Sequence, residues 1–173
     1  MLILIDSAIL GRGVLSIERP EVAESEMLCI PIARSEELLL VHVFYDFFPD
    51  GYRIVRIQDI YDVIRDSSEQ FFERVITAEG ITAKLKSPGE IDLSGWGAAL
   101  SSLRARYEFC TIECEAEDDF LIGKIVELGE WELTFHYFDA TGKWDDEMDV
   151  VDYDDLTAVS FDDNYTNTII KYI

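Results

Sequence analysis

MLCIPIARSEELLLVH at Met27–His42 and LIGKIVELGEWELTFH at Leu121–His136 overlay on one another, and that overlay decides the fold. At a constant offset of 94 residues, Cys29 falls on Gly123, Leu39 on Leu133, Val41 on Phe135 and His42 on His136. Further along, Asp59-Ile60 falls on Asp155-Leu156 and Val63 on Val159 at an offset of 96. A two-residue insertion near Ala140–Asp145 accounts for the change. Upstream, Leu15-Ser16-Ile17-Glu18 lies over Cys110-Thr111-Ile112-Glu113. A unit present twice constrains the architecture before any propensity is weighed.

Working outward, hydrophobic alternation and turn residues predict five short strands per unit. In the first they are Val14–Glu18, Met27–Ala33, Leu38–Tyr45, Tyr52–Ile57 and Ile60–Ile64, with Phe48-Pro49-Asp50-Gly51 as a turn. In the second they are Phe109–Glu115, Phe120–Glu127, Trp131–Phe138, Met148–Tyr153 and Leu156–Phe161. Pro20 and the run Glu21–Glu26 separate the first two strands. A short helix opens at Asp6 and ends at Gly11 or Gly13. Another is capped by Ser67 or Ser68 and shows Phe71, Phe72, Val75 and Ile76 on its apolar face. A third covers Trp96–Tyr107, with Leu100 and Leu103 inward, and Tyr165–Ile173 closes the chain as a short helix or strand.

Five turn-connected strands imply a strongly bent antiparallel sheet that closes into a small barrel and removes its exposed edges. A 3₁₀ corner is expected at Asp59-Ile60 and at Asp155-Leu156, the plan of an Sm-like or SH3-like barrel. The expected fold class is therefore mainly β with short helices, as two tandem five-stranded Sm-like/SH3-like barrels. Residues 1–80 form the first barrel with flanking helices, 81–94 a Gly- and Pro-bearing linker, and 95–173 the second, more acidic barrel. A lone unit of about 75–80 residues is marginal for a core, and packing two together eases that.

Charge narrows the partners. The 36 acids and 14 bases give a net −22, of which residues 93–173 carry −14 and residues 1–92 carry −8. Such a surface repels phosphate backbones and anionic membranes, so nucleic acid and membrane are excluded as partners. It favours cations or a basic protein. Three cysteines, an odd number, are too few for a disulfide framework and read as core filler in a reducing, cytoplasmic compartment. The apolar start Met1–Ile5 is too short for a signal segment, and no stretch reaches the length of a membrane span.

Phe138-Asp139-Ala140-Thr141-Gly142-Lys143-Trp144-Asp145 followed by Tyr153-Asp154-Asp155-Leu156 resembles a pattern in uncharacterised bacterial proteins: Asp-x-x-Gly-x-x-Asp-Gly-Tyr, then an Asp-Ile corner. Phe47-Phe48-Pro49-Asp50-Gly51-Tyr52 and Gln58-Asp59-Ile60-Tyr61-Asp62-Val63 look like the same pattern in the first unit. The resemblance implies an Sm-like barrel and no activity. The second unit departs from it where Asp146 and Glu147 replace Gly-Tyr. The Gly-x-Asn and Arg-Gly or Lys-Gly elements of RNA-binding Sm proteins are missing.

The function classes follow. Asp145, Asp146, Glu147, Asp149, Asp152, Asp154 and Asp155 place seven carboxylates in eleven residues, enough charge for a hard cation, but the spacing is not that of an EF-hand loop. They read as a solvated turn and edge strand. His42 and His136, the two histidines, occupy equivalent mid-strand positions. No Ser or Cys lies in a motif that would make either a catalytic base, so no enzyme and no cofactor is expected. The aromatics Phe44, Tyr45, Phe47, Phe48 and Tyr52, with Phe138 and Trp144 in the other unit, read first as the packing seam between the barrels. Their functional reading is a partner-binding patch of Phe44, Phe47, Phe48, Tyr52 and Trp144 with the acidic Asp145, Asp146, Glu147 and Asp149. The expectation is a non-enzymatic protein-interaction module, with self-association allowed. The alternative is an acidic inhibitor, an immunity protein or nucleic-acid mimic, neutralising a basic toxin or nuclease.

Overall fold

A computed structural model describes residues 1–23, 25–114 and 120–173. Among them are ten strands and four short helices. The first half holds β1 (Leu15–Glu18), β2 (Met27–Arg34), β3 (Leu38–Tyr45), β4 (Phe48–Arg56) and β5 (Asp62–Ile64). The second holds β6 (Cys110–Cys114), β7 (Phe120–Leu128), β8 (Glu132–Phe138), β9 (Asp149–Asp152) and β10 (Leu156–Phe161). The helices are α1 (Leu2–Gly11), α2 (Ser67–Ala78), α3 (Trp96–Arg104) and α4 (Asn164–Ile169). The expected end of β6 at Glu115, and Glu24 of the Glu21–Glu26 run, lie outside the described residues.

All ten strands form one open antiparallel sheet in the order β5-β1-β2-β3-β4-β10-β6-β7-β8-β9. The two closed barrels expected from the sequence are thus met only in strand order. β4 pairs with β10, and β5 and β9 stand at the two ends.

The register nonetheless recurs at the sequence offsets. Cys29 pairs with Val43, Ile30 with His42 and Arg34 with Leu39. Ninety-four residues on, Gly123 pairs with Tyr137, Lys124 with His136 and Leu128 with Leu133. Each ladder breaks at the matching place, between Pro31 and Ala33 and between Ile125 and Glu127. Leu38 pairs with Arg56, and Glu132 with Asp152, which carries the offset to 96. Both corners close with the same i+3 bond. The Ile60 N–H donates to the Ile57 carbonyl at 3.1 Å, and the Leu156 N–H to that of Tyr153 at 3.3 Å.

Alternation along the strands distributes the core over both faces of the sheet. Leu38, Leu40 and Ile54 join Leu100, Leu103, Phe135 and Phe161 in a cluster drawn from both halves. The intervening Leu39, Val41 and Val55 pack on the other face with Ile5 and Ala8 of α1. Ile30 and Phe44 pack with Phe72 and Ile76 of α2. Burying each large side chain of this kind contributes about 1.5–3 kcal/mol relative to exposure.

Three local expectations change. First, α1 begins at Leu2, not Asp6. Burial of Ile5 against the sheet sets its start, and Asp6 instead holds Arg34 with two hydrogen bonds of 2.6 and 2.7 Å. Second, Asp66 caps α2, not Ser67 or Ser68. Its carboxylate accepts from the Ser68 N–H while Glu69 accepts from the Asp66 N–H, a closed capping box. Third, Phe48-Pro49-Asp50-Gly51 lies inside β4. The hairpin turns at Asp46-Phe47, with Asp46 at φ 50°. Gly51, at φ 73°, supplies a bulge opposite the stretch from His42 to Phe44. That bulge brings β10 close: a Cβ at Gly51 would sit 2.6 Å from the Phe161 carbonyl oxygen. In the second half Gly142, at φ 80°, stands at the place of Asp46 in the hairpin turn, and neither Asp146 nor Glu147 adopts a positive φ.

The segment expected as a linker is tied down. Tyr52 donates to the Lys86 carbonyl at 2.9 Å, and Tyr107 donates to that of Pro88 at 3.1 Å. Where the halves meet, Arg53 of β4 lies 3.1 Å from the Glu113 carboxylate and donates to Ser160 at 2.8 Å. Arg19, only 2 % exposed, donates to the Thr157 carbonyl at 3.2 Å and lies 3.8 Å from Glu113. Among the described residues, no helix is long and apolar enough to cross a membrane.

Candidate functional site

The sequence-predicted residues separate into two surfaces, with no ring contact between the aromatics of one and those of the other among the described residues.

The first surface is the tip of the β3–β4 hairpin. Alternation sends Phe44 inward, where it meets Phe72 of α2 edge-on at 5.5 Å. Phe47 stacks on the same Phe72 at 4.9 Å and 11°. Tyr45 and Phe48, paired across the turn, remain 76 % and 72 % exposed. Tyr52 is buried, stacked on Phe161 at 5.2 Å. The cluster is therefore not a seam between the halves. Phe44 and Phe47 lean on α2, Tyr52 alone reaches the second half, and Tyr45 and Phe48 reach solvent.

The second surface is the loop between β8 and β9. Trp144 bridges back to Phe138, its ring 5.3 Å from Phe138 and 4.6 Å from His136. The Lys124 ammonium lies 5.5 Å from the Trp144 centroid and 4.5 Å from that of Phe109. His136 Nε2 contacts the Asp145 carbonyl at 2.9 Å, and the Glu147 N–H donates to the Asp145 carboxylate at 3.0 Å. Asp145, Asp146 and Glu147 are exposed, and Asp149 is half-buried on β9. None of these four carboxylates has an ion-pair partner among the described residues. There, too, no group of three or more His, Cys, Asp or Glu side chains is placed to hold a metal ion.

Sequence reasoning treated the two histidines as equivalent, partly exposed strand residues. His136 is half-exposed, but His42 is buried, its ring 4.5 Å from that of Tyr52. The difference comes from residues 82–88, which cross over β3 only in the first half. Burial pulls the His42 imidazole below its ordinary value, and Arg12 of α1 adds to the effect. The carbonyls of Lys86 and Gly51 act in the opposite sense.

A base depressed in the folded state stabilises the fold above its unfolded pKa of 6.5, and that contribution is lost as pH falls through the folded value. Replacing His42 with Gln is expected to flatten the part of the stability decline between pH 6.5 and the folded pKa. Parallel urea titrations over that range would show it, and superimposable slopes for both proteins would count against the assignment.

The chain matches no protein-family model, and comparison with the curated proteins and with the solved structures also finds no match.

Proposed function

We propose that the protein is a non-enzymatic interaction module whose hairpin tip docks on a protein partner. The observation that carries this is the pair Tyr45 and Phe48, presented at 76 % and 72 % exposure on a turn anchored by Phe47 on Phe72. Exposed aromatics on a rigid support give large contact area at little entropic cost. The finer architectural reading goes with it: each half is a unit of Sm-like plan and the chain is a tandem repeat of two. Strand order and register recurring at offsets of 94 to 96 support this. The cytoplasm, with its thiols reduced, suits the three free cysteines.

The carboxylates of Asp145, Asp146, Glu147 and Asp149, without ion-pair partners among the described residues, favour a second reading, an acidic inhibitor that neutralises a basic protein. The two readings separate in one affinity-capture experiment at low and high salt. With Tyr45→Ser and Phe48→Ser together, the module reading expects loss of the captured partner, little salt dependence, and stability within about 0.5 kcal/mol of the parent. The inhibitor reading expects capture that survives these changes and collapses with salt. A partner held equally by parent and double variant at both salt levels sinks both.

A further inference from the structure

A cavity of about 390 Å³ lies between α1, β2, β3 and the crossing segment 82–88, and neither the exposed Tyr45 and Phe48 nor the loop between β8 and β9 lines it. Its volume suits a small organic molecule. Three features mark it. Among the described residues no carboxylate lines it, although the chain carries 36 acids. Two cations do, Arg12 at the end of α1 and Lys86 of the crossing segment, and neither has an ion-pair partner among the described residues. Ile9, Ile30 and Leu85 make much of the remaining lining apolar.

A wall with two cations and no carboxylate favours an anionic head, and its apolar lining favours an apolar body. We propose that this cavity binds a small monocarboxylate with an apolar body. The carboxylate lies between Arg12 and Lys86, and the apolar body rests on Ile9, Ile30 and Leu85. Charge-assisted bonds fix the head, and burial of the tail supplies affinity. His42, at 8 % exposure on the same wall, sits where an added negative charge raises its pKa. Nothing in this requires a protein partner, so it stands or falls apart from the hairpin reading.

Calorimetric titration with hexanoate tests it, with hexanol as the neutral probe of equal length. Saturable hexanoate binding is expected, with hexanol much weaker. Arg12→Glu and, on the exposed crossing segment, Lys86→Glu are each expected to weaken hexanoate binding about tenfold or more. Thr82→Val should leave it unchanged, since the Thr82 hydroxyl oxygen does not open onto the cavity. NMR should show the His42 ring titrating at higher pH with hexanoate bound. Equal binding of the two probes, full hexanoate affinity in both charge-reversed variants, or no saturable binding in the folded parent would each overturn the assignment.

Discussion

Glu113→Ala is expected to destabilise the protein by about 3 kcal/mol, because it removes the carboxylate that pairs with the buried Arg19 guanidinium in the seam between the halves. Arg19 is 2 % exposed and lies 3.8 Å from Glu113, and Arg53 lies 3.1 Å from the same carboxylate. Burial already works against the charged Arg19, and Glu113 is the largest opposing influence. Once Glu113 is gone, Arg19 keeps its bond to the Thr157 carbonyl and the weaker influence of Asp59 but loses its ion-pair partner. For a chain of this size the loss corresponds to a melting point about 6–12 °C lower.

The double change Arg19→Met with Glu113→Leu removes both the charge and its need for a partner. It is expected to cost less than Glu113→Ala alone, since a buried pair is worth little against apolar replacements while a broken one is costly. Urea unfolding of the three proteins measures both comparisons. A Glu113→Ala protein within about 0.5 kcal/mol of the parent would mean that the seam does not depend on this ion pair.

How much of this was legible in the sequence depends on what specifies each feature. Strand existence and pairing register were legible because they rest on side-chain alternation, and alternation survives in both halves: Leu39 and Leu133, Val41 and Phe135 occupy matching ladder positions. The joining of β4 to β10 was not, because edge pairing is a backbone interaction and leaves little trace in side-chain pattern. Five strands per unit invite closure within the unit, and nothing in the pattern says that β10 will take the edge of β4 instead. The start of β4 was missed for a related reason. Pro49-Asp50-Gly51 reads as a turn, yet a glycine with positive φ serves a bulge equally well, and here it does.

The candidate site divides the same way. Trp144, Asp145, Asp146 and Glu147 were found together because they are contiguous. Phe44 and Tyr52 read as part of a seam between barrels or of a partner patch, but composition within a cluster does not say which face each residue takes, and both point inward, Phe44 against Phe72 and Tyr52 against Phe161. Arg12, His42 and Lys86 were not associated at all. They come from three elements distant in the chain, and only the course of residues 82–88 over β3 brings them to one wall.

Reversing two charges on β9, Asp149→Arg with Asp152→Arg, is expected to turn the protein into head-to-tail oligomers. The reason is the repeated register. β4 and β9 occupy equivalent places in the two halves, as do β10 and β5. Within the chain the first pair of edges is joined, since β4 takes β10, and the second pair, β9 and β5, is open. Open edges so related could pair between copies, repeating one contact along a ring or filament. Charge at the matching positions opposes this. Where β4 carries Arg53 and Arg56, β9 carries Asp149 and Asp152. Where β6 presents Glu113 to Arg53, β1 presents Glu18. A copy docking β5 onto β9 would therefore set Asp149 against Glu18, acid against acid, where the internal seam has an ion pair. Arginine at 149 and 152 restores the sign pattern of the internal seam. Light scattering on a sizing column is expected to show a monomeric parent and concentration-dependent higher species for the variant, weakened by salt because the added attraction is between exposed charges. A variant that stays monomeric at several hundred micromolar would show that shape, not charge, keeps β9 and β5 apart.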